Sequence, residues 1–234
     1  MFRPQAVLAL VLAFALSLLP LYGSPAPAPV IGTVTSATSA RVGATSASVG
    51  STVFGGDFIS TEKFGSIQVR AGAARLLLSG ASSASLGQRE GIPSATLLSG
   101  TAVFSTANAK AFVLHAATAD IRPKTDGPTV GQVTYVNDKE LRVRSTRGDL
   151  AITVDGETQF VADGKAYRVI LDPDAYYAAN PGAQGPEGAG TKGHKEPRRA
   201  GRSRFLLIAI TVIGVATGIA LYESWVSPDG SHGP

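Results

Sequence analysis

Apolar and polar side chains alternate repeatedly along the central part of this chain. Each alternating run places every second side chain on one face, as a half-buried β-strand requires. The runs are Ile67/Val69, Leu76/Leu78, Phe112/Leu114, Val133/Tyr135, Leu141/Val143, Leu150/Ile152/Val154 and Tyr167/Val169/Leu171. The pattern therefore predicts short antiparallel strands of about 5 residues rather than long helices.

Turn-forming dipeptides separate these runs. They include Ser79-Gly80, Ser99-Gly100, Asn137-Asp138, Asp155-Gly156 and Asp163-Gly164. The last two predict tight hairpins, because glycine adopts the positive φ that such turns need. The sequence thus predicts an all-β fold, either a solenoid-like or a sandwich-like stack, with a single helical turn at 172–179. A barrel stays open as an alternative, since periodicity does not distinguish these architectures.

Two uncharged apolar segments flank the β-rich part, at 6–19 and at Phe205–Tyr222. The first follows a short basic head and resembles a secretory signal, whose cleavage and retention as an anchor are both open. The second would rise about 27 Å as a helix, close to the ~30 Å hydrocarbon core of a bilayer, and so predicts a C-terminal transmembrane helix. Its Gly214 and Gly218 are spaced for helix packing, although glycine is also simply tolerated there.

These observations predict five regions. They are a signal peptide or signal anchor with a Pro/Ala spacer (1–29), a β-domain (30–175), a Gly/Pro-rich and then basic linker (176–204), a transmembrane helix (205–222) and a short tail (223–234).

The net charge of +4 is concentrated in the basic run 192–204, while the β-domain is nearly neutral. This distribution argues against nucleic-acid binding and favours a basic segment beside a membrane. The positive-inside rule would keep that run in the cytoplasm, whereas an N-terminal signal would export it. We favour export, because an N-terminal signal usually dominates.

Residues for catalysis or metal binding do not form a recognisable motif. The chain has no cysteine, and its histidines, His115, His194 and His232, are scattered. Six aspartates are candidates for a calcium site, yet most lie in turns, where aspartate is expected for its capping side chain: Asp120, Asp126, Asp138, Asp149, Asp155 and Asp163. We therefore predict no enzyme activity and no catalytic, cofactor-binding or metal-binding residue.

A basic ridge is predicted at Arg142, Arg144 and Arg147. Arg142 and Arg144 are two residues apart and should share one strand face. That face is either simply solvated or binds an acidic ligand.

The segment Gly56-Asp57-Phe58-Ile59-Ser60-Thr61, followed by Gly65–Arg70, resembles the start of FecR-like domains. Leu97–Phe104 and Phe112–Leu114 are similar to later segments of that family, whereas the family's Asp-Gly corner is Ala71-Gly72-Ala73 here. The resemblance implies an exported, solenoid-like β-module. Named members of the family pass iron-uptake signals from the periplasm to a sigma factor through a cytoplasmic segment. We do not expect that segment here, because residues 1–5 leave no room for it.

The expected function is that of a non-enzymatic, membrane-tethered envelope protein. Its β-domain would lie outside the cytoplasm and bind a protein or glycan partner, within a signalling system or apart from one. The alternative is a structural envelope protein that self-associates through its strand edges as a homo-oligomer.

Overall fold

The computed structural model describes residues 28–180 and 203–210, which contain fourteen strands and one helix. The strands are β1 (Val30–Val42), β2 (Thr45–Ser46), β3 (Thr52–Phe54), β4 (Phe58–Ala71), β5 (Ala74–Arg89), β6 (Ile92–Thr106), β7 (Val113–Ala116), β8 (Ala119–Pro123), β9 (Thr129–Asn137), β10 (Glu140–Arg147), β11 (Leu150–Val154), β12 (Glu157–Val161), β13 (Ala166–Ile170) and β14 (Leu206–Ile210). The helix α1 spans Pro173–Ala179.

Four long antiparallel strands form the centre of the fold, in the order β6-β5-β4-β1. They contain 15, 16, 14 and 13 residues respectively. Buried and solvent-facing residues alternate along most of β4, β5 and β6, so one face of each of these strands packs into the core, and β1 contributes Ile31, Val34 and Ala40. Tight turns such as Gly72-Ala73 connect neighbouring strands and set their register, in which Val69 lies opposite Leu76.

The long strands all bend along one line, which we call the corner. The register shifts there between Thr38 and Ala40, between Ser60 and Ser66, and between Ser79 and Ser83. Gly100 marks the corner in β6, with a φ of +78°. Glycine inside a strand commonly marks such a bend, because it permits backbone conformations that other residues resist.

Beyond the corner, β6 has different neighbours on its two halves. Ser94–Leu97 pairs in parallel with β7, whereas Gly100–Thr106 pairs antiparallel with β9. The first half continues into β7-β8-β11-β12, which we call the first layer. The second half continues into β9-β10-β13-β14, the second layer.

The two layers face each other across one hydrophobic core. Gly131 of the second layer shows how closely they pack. A Cβ placed on it would lie 2.7 Å from the Phe104 ring and 3.1 Å from Leu150 of the first layer. Phe104 in turn lies 6.0 Å, between ring centroids, from Phe112. The outer faces of the layers therefore point in opposite directions.

The prediction of a β-rich chain is confirmed, but the predicted fold class was wrong in two respects. First, the central strands are not short. Ser79-Gly80 and Ser99-Gly100, predicted as turns that separate strands, lie within β5 and β6 and bend them. The physical reason is that glycine accommodates a bend and a reversal equally well, so its position alone does not mark the end of a strand.

The second error concerns the transmembrane helix predicted over 205–222. Its first part forms the edge strand β14, which pairs antiparallel with β13, and Phe205 is fully buried. Among the described residues, no helix combines the length and apolarity needed to cross a bilayer. An apolar run suits a strand as well as a helix, and here β13 supplies the backbone partners. Residues 211–222, like 1–27 with the predicted signal or anchor helix, lie outside the described residues.

The start of β14 is held to the end of the first layer by hydrogen bonds to β12. Glu157 accepts from the backbone N–H of Arg204 at 2.7 Å and from the Ser203 hydroxyl at 2.6 Å. Gln159 donates to the carbonyl of Phe205 at 3.0 Å. The hydrogen bonds that Glu157 accepts, first that from Arg204 and then those from Ser203 and Gln159, lower its pKa below the ordinary value, although slight burial opposes them.

The predicted turns were partly correct. Asp155-Gly156 joins the paired strands β11 and β12 with positive φ at both residues, which confirms that hairpin. Asp163-Gly164 instead connects β12 to β13, which lie in different layers and do not pair with each other. The helical turn predicted at 172–179 is confirmed as α1, whose first turn is capped by Asp172 accepting from the N–H of Ala175 at 3.0 Å.

Candidate functional site

A row of polar side chains crosses the outer face of the first layer. The register places Thr96 beside His115, then Asp120, Thr153 and finally Thr158. The row therefore spans β6, β7, β8, β11 and β12. All of these residues except Thr158 alternate with buried apolar neighbours, so the core fixes the backbone beneath most of the row.

The side chains of His115 and Asp120 form a hydrogen bond at the centre of this row. Nδ1 of His115 lies 2.5 Å from Oδ1 of Asp120, and the two side chains are 18% and 45% exposed. An ionised carboxylate only accepts hydrogen bonds, so Nδ1 carries the proton in this arrangement. The contact orients the imidazole and leaves its Nε2 as the atom with which His115 can meet a ligand.

A shallow open cavity of about 220 Å³ lies over this pair, and we call it the polar groove. It is smaller than the ~300–1,000 Å³ of typical small-molecule pockets, so it suits recognition of part of a larger ligand. Its charges are mixed, which suits a polar ligand with little net charge. Its lining residues are Arg89, Glu90, Ile92, Ser94, Val113, His115, Asp120, Arg122 and Thr153.

The groove does not assemble a catalytic triad from the described residues. No hydroxyl among them makes a hydrogen bond to His115, and no three His, Asp or Glu side chains are grouped to hold a metal ion. Most of the aspartates considered for calcium instead make local or ion-pair contacts. Asp126 accepts from the N–H of Ala109 at 2.9 Å, for example, and Asp149 from that of Asp163 at 3.0 Å. The geometry therefore offers hydrogen-bonding groups for recognition.

Sequence reasoning missed the His115–Asp120 pair, although the chain contains a signal for it. The two residues flank the short loop Ala117-Thr118, whose neighbours Ala116 and Ala119 are paired. In an antiparallel hairpin with a two-residue loop, residues five apart at these positions lie directly opposite each other. Recognising that loop would have placed the imidazole beside the carboxylate.

The predicted basic residues lie on the outer face of the second layer. Arg142 and Arg144 share that face, as their spacing predicts, while Arg147 follows a register shift after Ser145. Arg168 lies directly opposite Arg142 on β13. Its Nε and Nη2 donate to the two carboxylate oxygens of Glu140 at 2.8 and 2.9 Å.

The Glu140–Arg168 pair shifts the titration of both groups. Hydrogen bonds from Arg168 lower the pKa of Glu140, partial burial opposes this, and the positive charges of Arg168 and Arg142 add to the lowering. Conversely, the same hydrogen bonds raise the pKa of Arg168. The pair thus favours an ionised Glu140 in the folded protein.

Acidification is expected to remove the stabilisation that this pair provides. Because the folded state lowers the pKa of Glu140, its stabilisation is present above the unfolded pKa and is lost as the pH falls through the folded pKa. Glu140→Gln should therefore make the unfolding free energy less sensitive to pH below the ordinary value of 4.5. We expect a difference of only about 0.5–1 kcal/mol, since solvent screens a partly exposed pair.

Thermal melts recorded at a series of pH values from neutral to acidic would measure this effect. Glu62→Gln, at an exposed position in the corner, is the matched control and should keep the pH dependence of the wild type. The prediction would be contradicted if the stability of Glu140→Gln fell with acidification as steeply as that of the wild type.

Comparison with known proteins gives no family assignment. No family model matches the chain, and no curated protein matches it. The similar solved structures include two crystal structures, at 2.50 and 1.65 Å resolution, of a "putative anti-sigma factor" from Parabacteroides distasonis ATCC 8503. Each is 16% identical to this chain, with a TM-score of 0.41, over 48% of this chain and 54% of that one. The match thus spans about half of either chain, and the FecR-like resemblance stays a prediction.

Proposed function

We propose that this chain is an exported, non-enzymatic binding protein of the cell envelope. Its β-domain recognises a glycan through the polar groove, and this recognition contributes to envelope signalling. The observation that carries the proposal is the polar row centred on His115 and Asp120. Export is supported by the signal-like segment 6–19. The FecR-like sequence resemblance is consistent with export and with a role in signalling.

The chemistry of the groove supports a glycan as the ligand. Hydroxyl and imidazole groups repeat at the ~4.8 Å spacing of neighbouring strands, so several can bond to one chain of sugar hydroxyls. Phe160 lies at the outer end of the same face and is 52% exposed, which provides an apolar surface for a sugar ring. Lys124 lies 4.6 Å from the centroid of that ring.

Binding of the full chain to an immobilised panel of neutral, zwitterionic and acidic oligosaccharides tests this function. We expect retention by neutral or zwitterionic members, and His115→Ala/Thr153→Val should weaken it about tenfold through the loss of two hydrogen-bonding groups. Thr146→Val is the matched control, because Thr146 is exposed on the opposite layer.

Two outcomes of the retention assay, and one of a crosslinking experiment, would reject the glycan proposal. One is the absence of retention by the wild type on every oligosaccharide. The other is equal retention of the wild type and the double variant, which would locate binding outside the groove. Crosslinking in the membrane fraction that yields a stoichiometric foreign protein, without any glycan binding, would also replace the glycan by a protein partner.

A further inference from the structure

The outer face of the second layer presents positive charges that its carboxylate, Glu140, balances only in part. We call Arg142, Arg144 and Arg168 the arginine face. Arg142 and Arg168 are directly opposed on paired antiparallel strands, and Arg144 is the next outward residue of β10. Like charges in direct opposition destabilise a sheet unless other groups compensate for them. Glu140 compensates Arg168, so the charges of Arg142 and Arg144 are the part of this arrangement that folding leaves unexplained.

The nearby carboxylates within the described ranges already have partners. Glu140 holds Arg168 through two hydrogen bonds. Asp138 accepts from the hydroxyl of Tyr135, and Asp172 pairs with Lys139 at 2.9 Å. Neither Arg142 nor Arg144 makes an ion pair with any carboxylate among the described residues. Both guanidinium groups are thus available to an anion from outside.

Arg144 is the more strongly constrained of the two. Its Nε is buried and has no hydrogen-bond acceptor among the described residues, while the side chain as a whole is partly exposed. Because this N–H is shielded from water, the Arg144 guanidinium is less well solvated than that of a fully exposed arginine. An anion at its exposed nitrogens therefore gains more than it would at a fully hydrated side chain.

The spacing of these arginines identifies the class of ligand. Alternate residues on a strand lie about 6.6–6.8 Å apart, which is also the spacing of alternate side chains in an extended peptide. Carboxylates at every second position of such a peptide would therefore meet Arg142 and Arg144 in register. Each guanidinium can hold a carboxylate through two parallel hydrogen bonds.

We propose that the arginine face binds an acidic peptide in extended conformation, laid along β10. This site is separate from the polar groove, because the outer faces of the two layers point away from each other. It is a second recognition surface, and it does not depend on the glycan proposal.

Fluorescence anisotropy of labelled peptides with the purified full chain tests the proposal. The probes are an alternating Asp-Ser peptide and a peptide of the same composition with its aspartates in one block. We expect the alternating peptide to bind, with Arg142→Gln/Arg144→Gln weakening it at least about tenfold. The affinity should also fall as salt is added.

Arg41→Gln/Arg70→Gln is the matched control, since it removes the same charge from exposed positions away from both β10 and the polar groove. It should bind the alternating peptide like the wild type, and Arg142→Gln/Arg144→Gln should bind glycans like the wild type. Circular dichroism melts confirm that both double variants fold.

Three results would overturn the proposal. They are equal peptide binding by the wild type and Arg142→Gln/Arg144→Gln, equal binding of the alternating and block peptides, and binding of polygalacturonate without any binding of the peptide. The second result would show that the arginine face attracts acidic peptides by net charge alone, without matching the spacing of their carboxylates. The third would show that the ligand of this face is an acidic glycan.

Discussion

Replacing Gly100 by alanine is expected to lower the free energy of unfolding by roughly 3 kcal/mol or more. Gly100 has a φ of +78°, where a side chain costs about 1–2 kcal/mol. The added Cβ would also lie 2.2 Å from Oγ and 2.6 Å from Cα of Ser82. Relieving that overlap must move the backbone and break the bond from the Thr101 N–H to Ser82 Oγ at 2.8 Å, worth about another 1 kcal/mol.

Urea denaturation of the wild type and the variant would measure this loss. Gly72→Ala provides the control, because Gly72 also has a positive φ of +59° but has open space around its Cβ position. It should lose only about 1 kcal/mol through backbone strain. Equal losses in the two variants would show that the corner tolerates a side chain and that its close packing does not matter.

The difficulty of predicting the corner from sequence follows from the same chemistry. The alternation in Leu76/Leu78 and Ile67/Val69 correctly identified the buried face of each strand, because it depends only on local geometry. Whether the chain reverses or bends at Gly80 or Gly100 depends on which strand lies alongside. That neighbour is distant in sequence, so the local signal is the same in both cases.

The apolar segment 205–222 shows a similar limit. Its lack of charge predicted a helix in a bilayer, whereas residues 206–210 add a strand to the edge of β13. The bonds from Ser203 and Arg204 to Glu157 join residues 46 and 47 apart in the sequence. Composition reports how apolar a segment is, but not whether a sheet edge is available to receive it.

The candidate sites were predictable where they depend on spacing. The two-residue separation of Arg142 and Arg144 correctly placed them on one face. The opposition of Arg168 and the pairing of Glu140 were not predictable, since they depend on which strand lies beside β10. The His115–Asp120 pair lies between these cases, because a short hairpin loop sets its geometry.

Replacing Phe104 by alanine is expected to cost about 3–5 kcal/mol of stability, because it removes a ring that both layers share. Phe104 is fully buried on β6, just beyond the corner. The Phe104 ring fills the space beside Gly131 on the neighbouring strand, where a side chain is absent. The centroid of the Phe112 ring lies 6.0 Å from that of Phe104. Neighbours on rigidly paired strands relax little, so the variant would lose the apolar transfer energy and also retain a cavity.

Phe64→Ala removes the same atoms from a side chain that is 88% exposed in the corner of β4. Its cost should stay within about 0.5 kcal/mol, as for most surface substitutions. Guanidinium chloride titrations of both variants separate the contribution of burial from that of side-chain chemistry, provided the denaturant dependence of the unfolding free energy is unchanged. A loss below about 1 kcal/mol for Phe104→Ala would mean that the layers do not close on this ring. The polar groove and the arginine face would then lack the rigid common core that keeps them on opposite sides of the molecule.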